Sequence, residues 1–154
     1  MDNTKTIITN NAKETQKLGE ELAAHITRAR KEGTVVPQIL CLYGELGAGK
    51  TVFTQGFAKG LGLPSRLVSP TFIIVRRYDI KLYVRYLYHV DLYRLQKIED
   101  IEGLGLVELF NDQQAIVVVE WAEWLGRLLP RQRIDVRWEK VVDDTRTITI
   151  SYVR

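Results

Sequence analysis

The segment ILCLYGELGAGKTVFTQGFAKGLG (Ile39–Gly62) joins the most strand-like run of the chain to a glycine-rich turn. The almost wholly apolar QILCLY (Gln38–Tyr43) predicts a parallel strand that is buried on both faces. The residues after the glycine-rich turn predict a helix from Lys50 to about Leu61, which ends at Gly62 and Pro64. A buried strand that feeds a helix through a tight turn indicates an α/β domain with a parallel core.

The turn itself, GELGAGKT, matches the spacing G-x-x-x-x-G-K-[ST]. Its glycines allow a tight turn whose N–H groups point inward, and the start of the next helix adds the positive end of its dipole. In this pattern Lys50 supplies charge to the β- and γ-phosphates, and the Thr51 hydroxyl takes one Mg²⁺ position. The predicted ATP-binding residues of the turn are Gly44, Glu45, Leu46, Gly47, Ala48, Gly49, Lys50 and Thr51.

Composition is that of an ordinary soluble domain, with 45% hydrophobic and 27% charged residues among 154 and a net charge of +3. This length predicts one domain over residues 1–154. The lone Cys41 excludes an internal disulfide, fits a reducing compartment, and lies where a core residue is favoured over a reactive thiol. The polar N-terminal stretch and the lack of a long apolar run predict a cytoplasmic protein without a membrane span.

The remaining patterns predict strands on both sides of this unit and helices between them. The predicted strands are 6–9, 71–78, 82–90, 115–120, 133–141 and 146–153, with turns near Asp79–Lys81 and Asp143–Asp144. The predicted helices are 12–31, capped by Asn10 or Asn11, then 97–110 and 121–128. Together they indicate an α/β, P-loop NTPase-like fold, with a parallel central sheet extended by antiparallel strands and helices on both faces.

Two further segments carry candidate groups for the same site. AIVVVE ends at Glu120, the predicted acid that holds Mg²⁺ or its waters, the alternative being a solvated acid at a strand end. HVDLYR places His89, Asp91 and Tyr93 on one side of an extended segment. Asp91 is a candidate for water-mediated contact with Mg²⁺ or for a base, and Arg94 for contact with phosphate or an acid. His89, Tyr93 and Arg94 are also candidates for stacking on a ligand or for contact with a partner, and a purely structural His89 remains open.

SPTF (Ser69–Phe72) follows the predicted phosphate-loop helix, where a switch segment is expected. The Ser69 or Thr71 hydroxyl is a candidate sensor of a γ-phosphate, against a plain turn into the next strand. Trp121, directly after the acid, is a candidate for stacking on a base or a partner, against a place in the core.

A cluster of basic and tyrosine residues lies in the middle of the chain. The mixture suits an RNA surface or an acidic protein surface, and the alternating solvated and core faces of a hairpin explain it equally well. Its members are Arg76, Arg77, Lys81, Arg85 and Arg94, with Tyr78, Tyr83, Tyr86, Tyr88 and Tyr93. An adenine contact near Asn11–Thr15 is a weaker candidate.

Taken in order, GELGAGKT, SPTF, HVDLYRL, GLGLVELF and VVEWAEWLGRLLP resemble the bacterial TsaE (YjeE) family over about Leu18 to Pro130. The resemblance implies a small P-loop ATPase that is required for threonylcarbamoyladenosine formation on tRNA. It also implies two partners, TsaD and TsaB, which carry out the transfer, while the ATPase regulates or resets their complex. Contact with tRNA would then be indirect, through the complex.

By motif, the resemblance assigns Lys50 and Thr51 to phosphate and Mg²⁺, Glu120 to Mg²⁺, Asp91 to hydrolysis and Thr71 to the switch. Trp121 occupies the tryptophan position of the family. The expected reaction is slow, partner-stimulated attack of water on the γ-phosphoryl group of ATP. Two other functions remain open: a small-molecule kinase, and a nucleotide-gated binding module that does not hydrolyse ATP.

Overall fold

The computed structural model describes residues 3–64, 73–95 and 97–154, and these form a mixed α/β fold around one seven-stranded sheet. The strands are β1 (Thr4–Thr9), β2 (Ile39–Tyr43), β3 (Val75–Asp79), β4 (Tyr86–Asp91), β5 (Ala115–Glu120), β6 (Arg133–Val142) and β7 (Thr145–Val153). The helices are α1 (Ala12–Lys31), α2 (Lys50–Gly60), α3 (Ile98–Glu102) and α4 (Leu106–Phe110). The spatial order of the strands is β1-β7-β6-β2-β5-β4-β3.

Four neighbouring strands of this sheet, β6, β2, β5 and β4, run parallel, and antiparallel strands extend it at both ends. The predicted parallel core with antiparallel extensions is therefore confirmed. One detail differs, because β6 pairs in parallel with β2 as well as forming a hairpin with β7. The alternating pattern of β6 predicts the hairpin with β7. It does not indicate that β6 also pairs with β2.

Strand β2 is buried on both faces, as predicted from its apolar run. Leu40 and Leu42 join the core beneath α1 and α2, where Phe53 and Phe57 are fully buried. Cys41 lies on the opposite face, in the core covered by α3, α4 and the segment after β5. Helices therefore pack on both faces of the sheet, and β2 ends between the two cores.

Helix α1 packs along α2 at unusually close range. A Cβ atom built on Gly56 would lie 1.8 Å from the Gln16 carbonyl oxygen, and one on Gly19 would lie 2.2 Å from the Phe53 carbonyl oxygen. Asn11 caps α1 by accepting a hydrogen bond from the Glu14 N–H at 2.8 Å. Across the described ranges, no helix combines the length and apolar character that crossing a bilayer needs.

Two predicted helices are wrong in detail. The helix predicted over 97–110 is two five-residue helices, α3 and α4, separated at Gly105, whose φ of +71° does not belong to a right-handed helix. The helix predicted over 121–128 is two 3₁₀ turns, Ala122–Trp124 and Gly126–Leu128. Trp121 and Gly126 have positive φ there, which prevents a continuous α-helix.

The strands around the predicted turn at Asp79–Lys81 are shorter than expected. β3 begins at Val75, and β4 begins only at Tyr86 rather than at Leu82. The loop between them is closed by the Ile80 N–H, which donates to the Arg85 carbonyl at 2.8 Å. Ile80 and Val84 are buried in the core, so these apolar residues anchor a loop instead of extending the hairpin.

Candidate functional site

The glycine-rich turn lies at the carboxyl edge of the parallel strands, between β2 and α2. Gly47 and Gly49 have φ values of +80° and +110°, which side-chain-bearing residues rarely adopt. Gly49 is the N-cap of α2, and no side chain caps that end of the helix. Because the first N–H groups of a helix have no partner within it, this turn fits an anion such as a phosphate.

Lys50 is directed back into the turn and is almost completely buried. Its Nζ donates to the carbonyl oxygens of Gly44 and Glu45, the second at 2.8 Å, and lies 4.0 Å from the centre of the Trp121 ring. Burial lowers the pKa of Lys50, and nearby carboxylates, Glu123 first among them, oppose this shift. A partly desolvated cation therefore lies within the turn that is predicted to bind phosphate.

Two acids end neighbouring parallel strands beside the turn. Asp91 of β4 is the register partner of Glu120 of β5. The Thr51 hydroxyl donates to Glu120 Oε1 at 3.1 Å, and Glu120 is only 2% exposed. The alternative reading of Glu120 as a solvated acid is therefore wrong, because the end of β5 is enclosed by α2 and β4.

Burial raises the pKa of the Asp91 carboxyl, and the neighbouring Glu120 adds to the shift. A hydrogen bond from the Tyr93 N–H to Asp91 Oδ1, at 3.0 Å, acts in the opposite direction. Hydroxyl and carboxylate oxygens are the donors that Mg²⁺ prefers. Thr51, Glu120 and Asp91 therefore supply a donor set that fits Mg²⁺.

His89 is placed differently from the prediction that it stacks on a ligand or meets a partner. It is buried within β4, and its Nε2 contacts Glu120 Oε2. The predicted grouping of His89 with Tyr93 is also wrong, because β4 ends at Asp91 and Tyr93 follows in a turn. His89 thus faces the acid inside the protein, whereas Tyr93 lies at the surface.

Tyr93, Trp121 and Trp124 form an aromatic group at the mouth of the site. The ring centres of Trp121 and Trp124 are 5.0 Å apart, and those of Tyr93 and Trp121 are 5.3 Å apart. Tyr93 is 42% exposed, so this group has an accessible side. The predicted Trp121 therefore stacks, in this structure, on aromatic residues of its own chain.

One cavity of about 490 Å³ brings most of the predicted site residues together. Its lining comprises Leu46, Gly47, Ala48, Gly49, Lys50, Thr51, Val52, Asp91, Tyr93, Arg94, Glu120 and Trp121. Gly44 and Glu45 lie on the other side of the turn, beside a second cavity that Trp138 also lines. Ser69 and Thr71 lie outside the described residues, so the switch segment stays a prediction.

Residues of the C-terminal hairpin support the turn, and sequence reasoning missed them. The Arg146 Nε–H donates to the Ala48 carbonyl at 2.9 Å. Trp138 packs edge-on against Phe53 of α2, with ring centres 5.6 Å apart. It also lies close to the turn, because a Cβ atom built on Gly44 would lie 3.0 Å from the Cβ of Trp138. In the sequence, Trp138 and Arg146 are recognisable only as members of predicted strands. That pattern does not indicate that these strands lie beside the glycine-rich turn.

The predicted adenine contact near Asn11–Thr15 involves side chains that already have internal partners. Asn11 caps α1, and the hydroxyl groups of Thr9 and Thr15 are 2.7 Å apart in a buried hydrogen bond. The basic and tyrosine cluster follows β3 and β4, where Arg77 and Arg85 approach the Tyr86 ring at 4.9 and 5.7 Å. A surface for RNA or an acidic protein stays a prediction.

Comparison with known proteins gives one consistent family. The family model described as "Threonylcarbamoyl adenosine biosynthesis protein TsaE" matches residues 9–148. A TsaE protein of Bacillus subtilis is 44% identical over 115 residues, covering 75% of this chain and 70% of that protein. A TsaE protein of Treponema pallidum is 36% identical, covering 82% and 87%. The crystal structure of Bacillus subtilis YdiB superposes with a TM-score of 0.75 at 34% identity, covering 100% of this chain and 88% of that one.

Proposed function

The chain belongs to the TsaE family of threonylcarbamoyl adenosine biosynthesis proteins, and on that premise we propose that it is a Mg²⁺-dependent ATPase of tRNA modification. One observation carries the proposal. A glycine turn, its lysine, and the Thr51 hydroxyl hydrogen-bonded to the strand-end acid Glu120 meet at one cavity. This combination fits a nucleoside triphosphate with its metal ion better than it fits any uncharged ligand.

In the proposed complex, the turn from Gly44 to Thr51 binds the phosphates through its N–H groups. Lys50 leaves the carbonyl oxygens of Gly44 and Glu45 and donates to the β- and γ-phosphates instead. Thr51 and Glu120 would hold Mg²⁺, and the ion would supply positive charge to the phosphate oxygens. Positioning and electrostatic stabilisation within the turn supply most of the rate enhancement.

Asp91 is the stronger candidate for orienting the attacking water. Both oxygens of Glu120 already meet side chains of the protein, Thr51 and His89. Asp91 lines the cavity next to the turn, where a carboxylate is placed to orient a water toward a bound phosphate. Thr71, from its motif, would sense the γ-phosphate.

We further propose that ATP binding controls a partnership with TsaD-like and TsaB-like proteins in the cytoplasm, with tRNA contacted through the complex. Support comes from the accessible aromatic group at the mouth of the cavity, together with Arg94. Aromatic residues and arginine carry much of the binding energy at protein interfaces. A partner that contacts Tyr93 and Trp121 would touch the nucleotide site itself.

The first test is replacement of the lysine, Lys50→Ala, because it removes the cation whose Nζ contacts the backbone carbonyls of the turn itself. We expect affinity for a fluorescent ATP analogue to fall at least about tenfold and hydrolysis to be lost. Lys59→Ala is the matched control, since Lys59 lies later on α2 and pairs at the surface with Glu20. Normal binding and turnover by Lys50→Ala would contradict the proposal.

The assay also separates the other two functions. Release of free phosphate from ATP without an added acceptor indicates hydrolysis and argues against a small-molecule kinase. Turnover should be slow alone and should rise when TsaD and TsaB proteins are added, with or without tRNA. ATP that stays bound and intact in that mixture would instead indicate a nucleotide-gated binding module.

A further inference from the structure

The two carboxylate oxygens of Glu120 contact different side chains. Oε1 accepts a hydrogen bond from Thr51 at 3.1 Å, and Oε2 contacts the Nε2 of His89. His89 and Glu120 are 5% and 2% exposed, so water does not replace either contact. A buried carboxylate needs such donors, because the loss of one leaves an oxygen desolvated and unpaired.

The sheet explains why this histidine reaches this acid. His89 is the register partner of Val118, and Asp91 that of Glu120, so His89 lies diagonally across from the acid. His89 and Asp91 share one face of β4 because they are two residues apart. His89 therefore approaches Glu120 from deeper in the sheet, while Thr51 approaches it from α2.

We propose that His89 is a positioning residue, which holds the Glu120 carboxylate in the orientation that Thr51 and Mg²⁺ require. This inference rests on the proposed function, in which Glu120 is a metal ligand. A carboxylate that binds Mg²⁺ only accepts hydrogen bonds, so the proposal requires the Nε2 of His89, which contacts Glu120 Oε2, to be the donor. Groups that orient a metal ligand in this way commonly change metal affinity by about 10- to 100-fold when they are removed.

A histidine that only fills space would behave differently. Its loss would lower the thermal stability of the protein and leave the response to Mg²⁺ unchanged. Leu87 offers the comparison, because it is two residues earlier on β4, on the same face, and fully buried in the core. Leu87→Ala is therefore the matched packing control.

The experiment measures binding of a fluorescent ATP analogue across a Mg²⁺ titration, with an EDTA sample as the metal-free limit. For His89→Ala we expect metal-free affinity within about twofold of the parent, and at least about tenfold more Mg²⁺ for half-maximal tightening. His89→Gln keeps an N–H donor and should recover part of the response. Leu87→Ala should lower the melting temperature and keep the parent Mg²⁺ dependence.

A ring ¹⁵N spectrum of the histidines provides a second test, which does not require His89→Ala to fold. The chain has two histidines, and the other one, His25, is exposed on α1. In His25→Ala, the ring ¹⁵N spectrum therefore reports on His89 alone. We expect a protonated Nε2, and an unprotonated Nε2 overturns the inference.

The outcomes separate this inference from the proposed function. A parent protein that binds no ATP analogue, or whose binding ignores Mg²⁺, overturns the proposed function. A parent that responds to Mg²⁺, together with a folded His89→Ala that responds identically, overturns the positioning role alone. Equal changes in the Mg²⁺ dependence of binding for Leu87→Ala and His89→Ala would also contradict the positioning role and indicate that His89 only packs.

Discussion

Trp121 shows how a single residue shapes the site. It has a φ of +63°, a conformation that costs a bulky residue on the order of 1–3 kcal/mol. The chain turns sharply there, directly after Glu120, and the indole ring comes to lie over Lys50 Nζ and beside Trp124. Backbone strain at this position thus accompanies the contact between the aromatic group and the lysine.

Cys41 gives a prediction at the same scale. It is fully buried in β2, and burial raises the pKa of its thiol to about 12. Because the thiolate is the reactive form, a thiol reagent at about pH 8 should leave the folded protein unmodified and should label the chain fully in guanidinium. The absorbance of released reagent measures this, and rapid labelling of the native protein would contradict the buried assignment.

At the scale of elements, the close contact between α1 and α2 fixes the position of the helix that follows the glycine-rich turn. Gly56 and Gly60 are spaced four apart on α2, and a Cβ on either would lie within 2.7 Å of α1. Gly19 makes the reciprocal approach from α1. These glycines remain in helices, at some cost in helix propensity, because a larger side chain would separate the helices.

Gly56→Ala should therefore destabilise the protein even though alanine favours helices. Steric overlap with the Gln16 carbonyl should lower the melting temperature by at least about 4 °C. Gly103→Ala is the control: its φ is −68° and the nearest atom to an added Cβ is 3.5 Å away, so we expect a change within about 2 °C. Equal melting temperatures for the two variants would mean that the helices tolerate wider spacing.

At the scale of the whole molecule, the C-terminal hairpin and the glycine-rich turn form one structural unit. β6 lies next to β2 in the sheet, so Trp138 of β6 reaches Gly44 and Phe53. Arg146 of β7 reaches the Ala48 carbonyl. Residues nearly one hundred positions away along the chain thus hold the turn in shape.

Arg146→Met tests this connection. Loss of the hydrogen bond to Ala48 should loosen the turn and lower affinity for an ATP analogue about three- to tenfold, with a small change in melting temperature. Arg131→Met, an exposed position in the loop before β6, removes the same charge and should have no effect on affinity. Calorimetric titration measures both variants, and equal affinities would argue against support of the turn by the hairpin.

The local parts of this protein followed from its sequence. The buried strand β2, the glycine turn and the start of α2 are encoded in one continuous segment, where the apolar run, the glycine spacing and the lysine are all adjacent. Glu120 was predicted from the end of an apolar strand and Asp91 from the HVDLYR segment; the structure places both beside the turn, and their roles stay predictions. The places where predicted helices failed, at Gly105 and Trp121, depend on backbone conformations that residue patterns only weakly indicate.

Only the tertiary structure decided which side chains meet. The pairing of His89 with Glu120, and the contact of Arg146 with Ala48, depend on strand order and register. A strand pattern specifies which residues alternate between faces, but it does not specify which strand lies beside it. The sequence therefore determined the residue types of the glycine-rich turn, and the packing of the sheet determined which residues contact Glu120 and support the backbone of the turn.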